Sequence, residues 1–130
     1  MRNNNNIVNQ LGTLSLIGDN IIIEESGAID LGDSTVAGTL NVTSAGPITD
    51  SGILNVTGTT TLNAGGNDIT LDSTGNEFGS LELTGNNVTI QENAPTNLGT
   101  STLGGTLNVT SAGQITDRGH LNVTGTTTLK

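Results

Sequence analysis

The chain has 130 residues, enough for one domain, with a single Phe and no Tyr, Trp or Cys, so a core must be built from Leu, Ile, Val and Ala. Its net charge is −9 and its only Lys or Arg residues are Arg2, Arg118 and Lys130, which excludes the basic patches that meet nucleic-acid phosphates or anionic lipid. No run approaches the ~20 apolar residues that cross a bilayer, and the lack of Cys does not decide the redox compartment.

The start, Met1-Arg2-Asn3-Asn4-Asn5-Asn6, has no apolar stretch, so no signal peptide is expected within the chain; it is either leaderless or an excerpt of a longer exported protein. Beyond it, short segments alternate with period two. Leu14-Ser15-Leu16, Leu40-Asn41-Val42-Thr43, Leu54-Asn55-Val56-Thr57, Asp68-Ile69-Thr70-Leu71, Leu81-Glu82-Leu83-Thr84 and Asn87-Val88-Thr89-Ile90 each put aliphatic residues on one face and polar ones on the other. This is the pattern of half-buried strands, and the abundance of β-branched Thr, Val and Ile agrees. Gly, Asn, Asp or Pro punctuates every few residues, as in Ser44-Ala45-Gly46-Pro47, Gly65-Gly66-Asn67 and Gly85-Asn86-Asn87. No segment carries a helical apolar stripe.

The segments belong to a repeat. Residues 38–63 and 105–130 are identical at 22 of 26 positions, the changes being Pro47→Gln114, Ser51→Arg118, Ile53→His120 and Asn63→Lys130. The same 67-residue offset lays 9–25 over 76–92, with Gly12 on Gly79, Leu14 on Leu81, Gly18 on Gly85 and Glu25 on Glu92. The chain is thus one domain of two copies, 1–67 and an incomplete 68–130. Fixed-period self-similarity of short strands predicts a solenoid, here a right-handed parallel β-helix. At about 20–26 residues per turn a copy makes three coils, placed at 13–38, 39–58 and 59–79, then 80–105, 106–125 and 126–130. Six coils at about 4.8 Å each give a rod roughly 25–30 Å long. An antiparallel sandwich of short strands is the alternative, but it has no reason to keep one sequence in two places.

The run from Gly38 through Phe78, with its Gly-Thr-Leu-Asn-Val-Thr-Ser-Ala-Gly and Leu-Asn-Val-Thr-Gly-Thr-Thr-Thr-Leu motifs, resembles the repeat regions of bacterial large exoproteins. These are the filamentous-haemagglutinin-like, two-partner-secreted adhesins, and the resemblance spans about residues 9–130. It implies an extracellular β-helical stalk at the cell surface, serving adhesion or biofilm contact. It carries over no site residue, because the family's secretion domain and binding tips have no counterpart in these residues.

No catalytic, cofactor-binding or metal-ligating residue is therefore expected, and no cofactor. His120, the only His, stands where the first copy has Ile53, and its neighbours Thr116 and Asp117 recur as Thr49 and Asp50 in a copy without His; it reads as a surface substitution. Carboxylate pairs that could cleave sugars are Asp30 with Asp33 and Glu24 with Glu25, but only Glu25 recurs, as Glu92. The twelve carboxylates are expected to serve solubility. Gly65-Gly66-Asn67-Asp68 has the composition of a calcium-binding nonapeptide but occurs once, as a turn would. Asn41, Asn55, Asn87, Asn108 and Asn122 each precede Val-Thr and match the glycosylation acceptor; outward Asn and Thr around an inward Val give the same pattern. Thr59-Thr60-Thr61 and Thr126-Thr127-Thr128 suggest an ice-binding array, yet such an array needs Thr at every coil. An ice- or glycan-binding solenoid and a carbohydrate-active β-helix enzyme thus stand as alternatives to a structural, adhesive scaffold.

The expected partner is a further copy of the same solenoid. The sequence stops inside its strongest repeat, and by the 67-residue offset Met1 corresponds to Asp68, so end-to-end stacking would omit only positions 64–67. That predicts either a piece of a long stalk or a subunit of a thin filament.

Overall fold

A computed structural model of the protein describes residues 12–130. Regular structure among these residues is all β, and every strand pairing is parallel. The strands are β1 (Thr13–Leu14), β2 (Ile17–Gly18), β3 (Ile21–Glu25), β4 (Ile29–Leu31), β5 (Ser34–Val36), β6 (Leu40–Ser44), β7 (Ile48–Asp50), β8 (Leu54–Asn63) and β9 (Ile69–Leu71). They continue as β10 (Glu77–Gly85), β11 (Val88–Glu92), β12 (Thr96–Leu98), β13 (Ser101–Leu103), β14 (Leu107–Ser111), β15 (Ile115–Asp117), β16 (Leu121–Val123) and β17 (Thr127–Leu129).

Most strands have only two to five residues because a turn residue interrupts each apolar pair. Each strand finds its partner one turn later, so the chain winds as a β-solenoid. One sheet runs β1-β4-β7-β9-β11-β14-β17; the other strands form a second, branched sheet of ten. The first sheet follows the winding from Thr13 to Asp30, Thr49, Thr70, Thr89, Asn108 and Thr128, which is six turns, as expected.

Period-two alternation decides what goes inside. In β6 Leu40, Val42 and Ser44 are buried while Asn41 and Thr43 are exposed. Stacking then lines like with like: Ile29, Ile48, Ile69, Val88 and Leu107 form one inward column. Ile23, Val42, Leu62 and Leu83 form another on the second sheet. The core is an aliphatic tube in which Phe78 is the one aromatic residue. Its burial gains are those of ordinary Leu and Ile, about 1.5–3 kcal/mol per side chain.

The turns are shorter than expected. Stacked residues lie between 17 positions apart, Thr13 and Asp30, and 22 apart, Asn55 and Glu77. Three-residue strands joined by two- or three-residue turns need no more. The expected first coil, 13–38, therefore overruns a turn that already closes at Asp30. Three turns carry Thr13 to Thr70, ten residues short of its copy Ser80, so a 67-residue unit is three turns and part of a fourth. Equivalent strands consequently sit on different sides of the tube: β6 belongs to the second sheet but its copy β14 to the first.

The local structure nonetheless repeats register for register. Leu14 stacks on Leu31 as Leu81 does on Leu98. The β3–β6 ladder recurs as β11–β14, and β4–β7 as β12–β15. Asn20 Oδ1 accepts from the Thr39 amide (3.0 Å) and hydroxyl (3.2 Å); Asn87 accepts from Thr106 at the same two distances. One copy maps onto the next by a screw movement along the tube.

Candidate functional surfaces

The outward positions of the winding make two polar columns. On the first sheet they are Thr13, Asp30, Thr49, Thr70, Thr89, Asn108 and Thr128, stacked one per turn. On the second they are Glu24, Thr43, Asn63, Thr84, Thr102 and Asn122, all exposed. Parallel stacking spaces the members of each column by about 4.8 Å. The Thr column was hidden in the sequence because unequal turns, 17 to 21 residues along it, give its members no common spacing. The Thr triplets, by contrast, do not form an array. Thr60 points inward, fully buried, with no hydrogen-bond partner for its hydroxyl, between half-buried Thr59 and Thr61.

Asp30 interrupts the Thr column and is bound into it. Its carboxylate accepts from the hydroxyls of Thr13 (2.9 Å), Thr49 (3.0 Å) and Ser51 (2.7 Å). Partial burial works to raise its pKa, but these hydrogen bonds outweigh it and hold the carboxyl below the ordinary value. Asp33 instead accepts from the Ile53 amide (2.8 Å), as a turn residue. Glu24 and Glu25, adjacent in β3, point to opposite faces, one exposed and one buried. Glu24 and Glu25 therefore do not converge, and Asp30 and Asp33 share no hydrogen-bond partner. His120, Thr116 and Asp117 are exposed on the last turn. Gly65-Gly66-Asn67-Asp68 is a turn: Gly65 has φ 61°, the Asn63 side chain accepts from its amide, and Asn67 donates to the Ala64 and Ala45 carbonyls. No three His, Cys, Asp or Glu side chains among the described residues cluster to hold a metal. The five Asn of the Asn-Val-Thr motifs are all exposed, around Val residues that face inward. The four positions at which the strongest repeat segment varies are exposed in both copies.

The expectation that carboxylates serve only solubility is corrected inside the tube. Asp50, Glu25 and Glu92 are buried. Between β9 and β10 the chain departs from its regular turns, and Asp50 and Asn76 fill the gap. Asn76 donates to Asp50 (2.7 Å) and accepts from the Leu54 amide (2.8 Å), and Asp50 also accepts from the Asp72 amide (3.0 Å). One turn further, Glu92 accepts from the Phe78 amide (2.8 Å) and the Thr96 hydroxyl (2.9 Å). Burial pushes its carboxyl up; the two hydrogen bonds oppose this, the charge of Glu77 adds to it, and the pKa rises to about 7. Period-two reading gave no sign of these polar interiors, since Asp50 and Glu92 stand at turn edges where exposed acids are common.

A family described as repeats of unknown function (DUF5649) matches the chain twice, at residues 18–84 and 85–130. The first match has the 67-residue period read from the sequence, cut at a different phase. No curated protein and no solved structure matches the chain.

Proposed function

The chain belongs to the DUF5649 repeats, and on that premise we propose that it is a structural, adhesive scaffold at a bacterial cell surface, a rod that sets distance rather than a catalyst. The observation that carries this reading is the seam between the two family units. Strand β10 spans Glu77–Gly85 and ends on the boundary at 84–85, yet it is hydrogen-bonded to β8 on one side and to β12 and β13 on the other. Nothing in the pairing marks where one unit stops, so units add length without adding a joint. Each further unit of about three and a half turns lengthens the rod by roughly 17 Å. Outward Thr, Asn and Asp keep such a rod hydrated, and of the acids the sequence offers for carbohydrate chemistry Glu24 and Glu25 face apart while Asp30 and Asp33 are held by separate hydrogen bonds.

The test has two arms. An antibody against the chain should label intact producing cells. Exchange of one 67-residue unit for an unrelated solenoid of equal length should preserve adhesion. Confinement to the cytoplasm, or depolymerase activity of the purified chain on polysaccharides, would overturn the reading.

A second reading, binding to ice or to a crystalline glycan, is favoured by the Thr column of the first sheet. Its hydroxyls recur on three consecutive turns, at Thr49, Thr70 and Thr89. Retention on crystalline polysaccharide, or inhibition of ice recrystallisation, that is lost in the double variant Thr70→Lys, Thr89→Lys would support it. Equal behaviour of the two proteins would remove it.

A further inference from the structure

Residues 72–76 link β9 to β10, and this corner is fastened differently from its counterparts on other turns. Those are tied backbone to backbone: the Ser51 amide donates to the Leu31 carbonyl, Gly99 to Leu81 and Arg118 to Leu98. One turn on from Ser51, the Asp72 amide donates instead to the Asp50 carboxylate (3.0 Å), with the Ser73 amide at 3.4 Å. Asn76 completes that side, donating to Asp50 and accepting from the Leu54 amide. On the other side the Asn93 amide donates to the Asn76 carbonyl (2.7 Å), and the Phe78 amide donates to the Glu92 carboxyl. Residues 72–78 thus hang between two buried carboxyls, Asp50 on the turn before and Glu92 on the turn after.

The segment is also set apart from the strands that flank it. β9 ends at Leu71, and the β8–β10 ladder shifts register between Phe78 and Ser80. Ahead of that shift the ladder has only the pairs Glu77 with Asn55 and Phe78 with Val56. Opening of 72–78 therefore stops at a break on each side, as a local unit opens within a folded chain.

Acids surround the segment without a base. β10 brings Glu77 and Glu82, residues 72–76 bring Asp72, and β7 brings Asp50, while β8, β9, β12 and β14 carry no ionisable group. Residues 12–117 contain no Lys, Arg or His to offset them. Burial, with the Glu77 charge adding to it, raises the pKa of Glu92 to about 7, so its ionisation places an unpaired anion inside the corner.

We propose that residues 72–78 are a pH-sensitive strap. With Glu92 protonated, the strap is fastened to the turns before and after it. Ionisation of Glu92 releases it locally and uncovers Phe78, the one aromatic side chain, while the ladders on either side stay formed. The closed strap holds a proton between about pH 4.5 and 7 that the open one has lost. Opening therefore rises roughly tenfold per pH unit over that interval and levels off above it. This goes beyond the scaffold reading, which a rod of constant stiffness also satisfies.

The test is amide hydrogen exchange of the full chain, followed by NMR from pH 4.5 to 8 and corrected for the intrinsic exchange rate. The Asp72 and Phe78 amides should lose protection along that curve. The Ile48 and Val88 amides, bonded to the Asp68 and Thr106 carbonyls on the turns before and after, should stay more strongly protected at every pH. Glu92→Gln should flatten the Phe78 curve. Glu77→Gln, at an exposed position, should move its plateau to lower pH. Equal protection of all four amides at each pH, Phe78 protection that ignores pH, or a wild-type curve in either variant overturns the proposal. These outcomes leave rod length and cell-surface labelling untouched, so the scaffold reading stands or falls apart from them.

Discussion

Glu92 is a carboxyl set into an aliphatic tube with two donors, the Phe78 amide and the Thr96 hydroxyl, and no cation. Its pKa is about 7 in the folded chain against an ordinary value of 4.5, so between those values the folded state holds a proton that the unfolded state has lost. The contribution of Glu92 to stability is therefore full below about pH 4.5, falls as pH rises to about 7 and is flat above, a change of at most about 3 kcal/mol. Glu92→Gln, which keeps an acceptor for Phe78, should be more stable than wild type at pH 8 and not at pH 4, as read by urea denaturation at the two pH values. Thr60 offers a simpler case. Its hydroxyl is fully buried without a partner, so Thr60→Val should be neutral or stabilise by about 1 kcal/mol. Gly79 is the converse, because any side chain must displace backbone. Gly79→Ala should cost about 1–3 kcal/mol in the same denaturation experiment, while Gly12→Ala, at the copied position, should cost little.

At the scale of elements, the gap between β9 and β10 is where the winding changes. Turn length there reaches its maximum of 22 residues, and Asn76 bridges the insertion from a fully buried position. Asn76→Ala removes one donor to Asp50 and the acceptor of the Leu54 amide and should lower stability by about 2–4 kcal/mol, with the melting temperature as readout. The same region explains how far the sequence could be read. Leu-x-Val and Ile-x-Leu pairs announced each strand, because burial on one face leaves period-two traces in every short element. Turn lengths left no such trace. A three-residue strand and a five-residue strand both close a side, so the number of residues per turn had to come from the pairing of Thr13 with Asp30 and Asn55 with Glu77. Turn length sets both the coil boundaries and the column through Thr49, Thr70 and Thr89, so the strand pattern alone shows neither. The acids inside the tube were illegible for a different reason: Asp50 sits in Ile-Thr-Asp at both copies, yet its copy Asp117 is exposed because no turn of the described chain covers it.

At the scale of the whole molecule, the chain is a tube whose two copies repeat ladders such as β3–β6 and β4–β7 register for register, but not their orientation about the axis. Thr13 needs ten residues beyond three turns to reach its counterpart, so each unit begins part of a turn further round than the one before. In a longer array any exposed corner, such as that of Ser51 and Arg118, is then presented alternately on opposite sides of the rod, about half a turn apart from one unit to the next. A flat surface lying along one side would therefore meet a given corner only on every second unit. Such a rod shows the same corner on both of its sides, and a change in one unit, as from Ser51 to Arg118, alters one side and leaves the other as it was.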